Sequence, residues 1–169
     1  MKCPTCKTEM PCATADHHYK ECGLDNVYLR GIEIHRCSCG EEIVSIPAVT
    51  KLHSLIGQIL LKKRSILDGK EIKFLRKNLG LTGKKFAEFI GTDNATVSRW
   101  ENETQSISKA HDRLIRLVYS TIKGIPQEEI KSVIQQDFAA ISDEKIEPQP
   151  FSIPCEQWSG GDICLPESP

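Results

Sequence analysis

Nowhere in its 169 residues does this chain approach the roughly 20 consecutive apolar residues of a membrane-spanning helix. Its opening, Met1-Lys2-Cys3-Pro4, lacks the apolar core of a secretory signal. No internal repeat is present, which argues against a repeat architecture. The net charge of −1 leaves almost no excess of either sign. These absences lead to the expectation of a soluble, cytoplasmic protein of one or two domains with a modest core. In that compartment thiols stay reduced, so clustered cysteines favour metal over disulfides.

The near-zero net charge conceals strong segregation. Residues 1–50 carry 5 basic against 7 acidic side chains, residues 51–124 carry 15 against 7, and residues 125–169 carry 2 against 9. A block with a balance of +8 is what a phosphate-facing surface requires.

Within that block, Leu81–Asn102 reads as two short amphipathic helices joined at Gly91. Thr82 and Asp93 are suited to cap them. Phe86, Ala87 and Ile90 stripe the first helix, and Val97 and Trp100 the second. Gly91 provides the unhindered backbone of a tight turn between crossed helices. This is the layout of a helix-turn-helix, whose second helix enters the DNA major groove. Asn94, Thr96, Ser98 and Arg99 then project from the recognition helix. Arg99 is suited to guanine and Asn94 to adenine, each worth roughly 1–3 kcal/mol of discrimination. Lys84 and Lys85 are positioned for the phosphate backbone, and Lys109 and Arg113 could reach it from the following helix. One such module reads too few base pairs for high affinity, so a homodimer on a palindromic operator in double-stranded DNA is expected.

The eight cysteines supply the second signal. Cys3-Pro4-Thr5-Cys6 is a CxxC knuckle and Cys37-Ser38-Cys39-Gly40 a second, tighter pair. Four thiolates in tetrahedral array suit Zn2+ at ~2.3 Å with no open position, a structural site replacing the core that a short segment cannot build. The CxC spacing is one residue short of the usual knuckle, so Cys12, Cys22 or His35 could replace one ligand. His17 and His18 read as solvated loop residues. A catalytic zinc would need three ligands, an activated water and a base. No such constellation stands out, so no catalytic residue is assigned and an enzyme is not expected.

Val27–Leu29 and Ile32–Ile34 alternate apolar and polar residues around Arg30-Gly31, as two short strands or one bulged strand. Ile43, Val44 and Ile46 give a third extended piece. The fold class expected is a small zinc-ribbon-like β module followed by an all-α, lambda-repressor-like helix-turn-helix domain. The module spans residues 1–47, and a connecting helix, 48–66, ends in Lys62-Lys63-Arg64. The helix-turn-helix domain occupies 67–124. Within it Asp68 and Glu71 form a capping box, and Ser108 opens a helix bearing Leu114, Ile115, Leu117 and Val118. A C-terminal helix at 125–142 begins at Pro126. The acidic tail, 143–169, rich in Pro, Ser and Gly, reads as disordered, with no role assigned to Cys155 or Cys164.

The run Val97-Ser98-Arg99-Trp100-Glu101-Asn102 resembles the helix-turn-helix of the phage-repressor-like (Cro-like, XRE) family, over about residues 69–124. Gly83 departs from it, standing where that family usually places a Gln that touches the DNA backbone. Glu103 stands where a Gly often ends the recognition helix. The N-terminal knuckle, the Cys-Gly-Glu knuckle and this helix-turn-helix together resemble MqsA/YgiT-type antitoxins. That resemblance implies a zinc domain that docks on a ribonuclease toxin and a C-terminal domain that dimerises and represses its own operon. By position, Cys3, Cys6, Cys37 and Cys39 match the zinc ligands and Arg99 a base-reading arginine, whereas Asn94 lies beside the matching asparagine position. Two other readings stay open: a stand-alone regulator whose thiolates respond to metal or oxidation, and a zinc-dependent hydrolase.

Overall fold

The computed structural model describes residues 1–138, 141 and 148–160. They form two compact units, and the chain passes from the first to the second near residue 52.

The first unit is built on a long central strand, β2 (Val27–Arg36), flanked by antiparallel β1 (Cys12–His18) and β3 (Glu42–Ser45). Val27, Leu29, Ile32 and Ile34 of β2 are all fully buried, although they change parity midway. The change is made by a bulge: Ala15 pairs with Ile32 and His17 with Leu29, so Arg30 and Gly31 together oppose Asp16. Gly31 takes φ +68°, and its N–H donates to Asp16 Oδ1 at 3.3 Å. Of the two sequence readings of this segment, one bulged strand is therefore correct.

β1 itself is a correction. Its sequence, Cys-Ala-Thr-Ala-Asp-His-His, has no long apolar side chain, yet it pairs along most of β2. His17 and His18 are strand residues, not loop residues, and the His18 ring stacks on Tyr28 with centroids 4.4 Å apart. Cross-strand pairing supplies what local preference does not.

The acidic tail is a second correction. Phe151–Pro154 forms a strand, β4, pairing in parallel with Val27–Arg30. A short helix, Glu156–Ser159, follows and buries Trp158, whose indole N–H donates to the Pro47 carbonyl at 3.0 Å. Cys155 is buried at the end of β4. Residues 142–147 and 161–169, with Cys164, lie outside the described residues.

The helical unit begins within α1 (Val49–Leu61), where Ile56, Leu60 and Leu61 are buried, and continues with α2 (Gly69–Asn78), α3 (Gly83–Phe89), α4 (Asn94–Glu101), α5 (Lys109–Ile122) and α6 (Gln127–Ser132). A π-helical turn, Val133–Phe138, follows α6. All four expected caps form. Asp68 and Glu71 make a reciprocal capping box, and Thr82, Asp93 and Ser108 accept from the backbone N–H three residues on. Each satisfies a donor that a helix start leaves orphaned. Pro126 precedes α6 as its cap residue rather than serving as the first helical residue.

Two details of this unit differ from expectation for one reason, a fully buried ion pair. Arg116 and Asp112 are both inaccessible to solvent, with Nε and Oδ2 2.9 Å apart. The guanidinium also donates to the carbonyls of Leu60, Leu61, Lys63 and Ser65, and Asp112 accepts from the Leu67 N–H at 2.8 Å. By taking those carbonyls Arg116 ends α1 at Leu61, so Lys62-Lys63-Arg64 follows the helix instead of finishing it. The buried face of α5 is consequently Asp112, Ile115, Arg116, Tyr119 and Ser120; Leu114, expected on the apolar stripe, is exposed.

Candidate nucleic-acid interface and metal centre

Helices α3 and α4 meet across a turn at Gly91, which takes φ +67°. Thr92 N–H returns to the Ala87 carbonyl at 3.0 Å, closing the end of α3 with the left-handed glycine cap expected there. Phe86, Ala87, Ile90, Val97 and Trp100 are all buried, as their spacing predicts. Arg76 of α2 braces α4. Its Nη2 lies 2.9 Å from Glu101 Oε2, and its Nη1 donates to the Leu81 carbonyl ahead of α3. One side chain thus ties the end of the second helix to the entry of the first.

With Val97 and Trp100 turned inward, Asn94, Ser98 and Arg99 are exposed on α4, and Lys84 and Lys85 are exposed at the start of α3. Thr96 is half-buried. Its hydroxyl donates to Asp93 Oδ2 at 2.7 Å and accepts from Arg99 Nη1 at 3.5 Å. Hydrogen bonds from the Thr96 hydroxyl and backbone, assisted by Arg99, hold the Asp93 carboxyl below its usual range, so the cap stays charged. Ser98 Oγ receives a hydrogen bond from Asn102 Nδ2 at 3.3 Å, and Lys85 Nζ pairs with Glu88 at 2.9 Å. Arg113 is not a backbone-contact candidate in this arrangement: its Nη2 donates to the Phe138 carbonyl at 2.8 Å. The excess charge of residues 51–124 is likewise partly internal, since Lys63, Arg76 and Arg116 face Glu71, Glu101 and Asp112.

The other site lies in the first unit. Cys3, Cys6, Cys37 and Cys39 place their four sulfurs within 4.8 Å of one another, with Cys3–Cys39 at 3.6 Å and Cys6–Cys37 at 3.3 Å. Tetrahedral zinc–thiolate bonds of ~2.3 Å put sulfurs about 3.8 Å apart, so this set fits the ion with small adjustments. Both knuckles have the same build despite their different spacing. The residue after the last thiol takes the left-handed conformation, Lys7 at φ +61° and Gly40 at +94°. The next backbone, that of Thr8 or Glu41, hydrogen-bonds to the sulfur of Cys6 or Cys39. Gly40 N–H closes the CxC turn onto the Cys37 carbonyl at 3.0 Å. The short spacing is therefore no obstacle to a ligand pair, and neither Cys12, Cys22 nor His35 belongs to the group.

Crowding of four thiols sets their acidities against one another. Hydrogen bonding with the side chain and backbone of Thr8, with Cys37 assisting, lowers Cys6 to about 6. At Cys39 the Glu41 backbone pulls down, but the neighbouring Cys37, Cys3 and Cys6 outweigh it and push the thiol up to about 12. Four sulfurs so placed cannot all carry charge without a cation among them. Cys3 and Cys37 are buried beside Met10, with Ile43 packed against them. That cluster is a small core for a knuckle pair to rest on.

Residues 72–111, from α2 into the first turn of α5, match the helix-turn-helix family. No curated protein and no solved structure matches the chain. The match covers both motif helices and the residues that hold them. The helical unit thus contains a helix-turn-helix domain of the Cro/XRE type, the architecture of DNA-binding transcription regulators. Among the described residues no helix is long and apolar enough to cross a membrane.

Proposed function

We propose that this chain is a sequence-specific transcriptional repressor that binds a palindromic operator as a homodimer, and that it is the antitoxin of a toxin–antitoxin pair. The observation that carries the DNA half is the division of α4: Val97 and Trp100 are buried while Asn94, Ser98 and Arg99 stand exposed on a helix braced by Arg76. Arg99 is the base-reading residue and Asn94 its neighbour at the helix start, where a recognition helix meets base edges. Thr96 acts through the Asp93 cap and orients Arg99. Ser98 contacts base or phosphate, and Lys84 and Lys85 neutralise phosphates from the start of α3.

Zinc held by Cys3, Cys6, Cys37 and Cys39 is structural in this reading, since four thiolates leave no position for substrate. The first unit docks on the toxin, and its likeness to the MqsA/YgiT type supports that role. The operon is tested by a gel-shift titration of its own upstream DNA with the wild-type chain and Arg99→Ala. Specific retardation that the variant loses, together with co-purification of the product of the adjacent reading frame, supports both halves. Operator binding with no adjacent partner leaves a stand-alone regulator. The exposure of Cys6 and Cys39 favours that reading only if DNA affinity follows zinc or peroxide.

A further inference from the structure

We propose that Cys12, Glu33 and His35 form a second metal site, open to a divalent transition ion and separate from the four-cysteine centre. The register of the sheet makes the group. Cys12, the first residue of β1, is the direct cross-strand partner of His35. Glu33 lies two residues before His35 on β2, and so on the same face of the strand. A thiol sulfur, a carboxylate oxygen and an imidazole nitrogen are thereby brought within 4.8 Å of one another. The strand pair holds all three on fixed backbone, as a preorganised ligand set requires.

His35 is the anchor. It is 8% exposed, and its Nε2 stands 2.8 Å from Glu33 Oε1. Its other nitrogen, Nδ1, is buried without a hydrogen-bond partner. A buried imidazole nitrogen left unpaired is costly, and an ion bound there would satisfy the ring, the Glu33 carboxylate moving from Nε2 to the ion as its oxygen ligand. On its other side His35 pairs across the sheet with Ile43, an apolar neighbour that offers no competing donor. Cys12 is exposed, so the group has an open side.

The donor set identifies the ion class. One sulfur, one nitrogen and one oxygen suit borderline ions such as Zn2+ or Co2+, and not Mg2+ or Ca2+, which take oxygen. Three protein ligands leave at least one position for water or for a donor from a partner, unlike the closed four-thiolate set. Binding releases the thiol proton and leaves the site exchangeable, which is the property a metal-responsive regulator needs.

The test is metal stoichiometry of the full chain, equilibrated with buffered free Zn2+ and assayed by elemental analysis, with Co2+ spectra as a second readout. Two ions per chain are expected in the wild type. Cys12→Ser, at an exposed position, should lose one of the two and retain the other, and Glu33→Gln should weaken the same one. The second Co2+ equivalent should add a weaker thiolate-to-cobalt band than the first, since it gains one sulfur and not four. A wild type that takes one ion overturns the proposal. So does a Cys12→Ser variant that keeps two, which would put the second ion elsewhere, or one that loses all, which would make Cys12 a ligand of the first centre.

Discussion

The side chain of Asn94 rests against the α-carbon of Gly83: a β-carbon built on that glycine would stand 2.5 Å from Asn94 Oδ1. These are the first residues of α4 and α3, so the starts of the two motif helices touch at this point. Absence of a side chain at position 83, where the Cro-like family usually places a Gln, is thereby matched by an asparagine occupying the space. Gly83→Ala tests the coupling. Its backbone is helical and alanine is the better helix former, so thermal stability should hold or rise slightly. Asn94 must move, and operator affinity should fall by about 1 kcal/mol or more if it reads a base. Equal affinity of both proteins in a gel-shift titration would remove Asn94 from the reading set.

Arg99 and Lys84 should fail differently. Loss of a bidentate base contact at Arg99→Ala should cost roughly 1–3 kcal/mol and relax specificity at one base pair. Lys84→Ala should weaken binding to all sequences alike and reduce the salt slope by about 1. Both side chains are exposed, so the circular dichroism of both variants should match the wild type. A loss at Arg99→Ala that is uniform across operator variants would demote it to a phosphate contact.

How much of this was legible in the sequence depends on the range of the interaction. Caps at Asp68, Thr82, Asp93 and Ser108 and the Gly91 turn are local, each decided within four residues, and they are found where expected. The cysteine pairs are also local motifs, and their common left-handed step at Lys7 and Gly40 makes CxC equivalent to CxxC. Strand β1 has little β-forming character of its own, and β4 pairs with a segment more than 120 residues earlier, so no window contains the reason for either. Asp112 and Arg116, four apart on α5, have the spacing of a solvated surface pair. Only the carbonyls of Leu60, Leu61, Lys63 and Ser65 reveal the pair as interior.

That interior pair has an asymmetric prediction. Asp112→Ala leaves a buried guanidinium without its counter-charge and the Leu67 N–H without an acceptor. Breaking a buried pair in this way typically costs about 3–5 kcal/mol. The denaturation midpoint of the helical unit should fall accordingly, and residues 61–67 should lose amide protection first. An unchanged midpoint would show that the pair contributes nothing net.

Trp158 offers a test of the returning C-terminal segment. It is 2% exposed, and truncating a buried Trp to Ala costs ~3–5 kcal/mol. Trp158→Ala should destabilise the β unit and expose the β2 edge that β4 covers, while leaving the helical unit's own unfolding transition in place. A chain ending at residue 147 should behave alike. Wild-type stability in both variants would mean that the tail is as dispensable as its composition suggests.

Metal removal should separate the two units as well. Among the described residues the packing beneath the knuckles is Cys3, Met10 and Cys37 with Ile43, too little to hold residues 1–10 and 37–41 once no ion ties the four sulfurs together. Strong chelation of the reduced protein should therefore abolish amide protection at Cys3, Met10 and Cys37, whose N–H groups bond to Thr8, Met1 and Glu41. The helices of residues 53–138 carry none of the four ligands, and their far-ultraviolet signal should persist. Replacing Cys39 with Ser should reproduce the chelated state even though Cys39 is exposed, because an open three-thiolate site binds zinc less tightly than a closed one. Should hydrogen exchange across residues 1–45 be identical with and without metal, the four-cysteine set is not what holds this unit together.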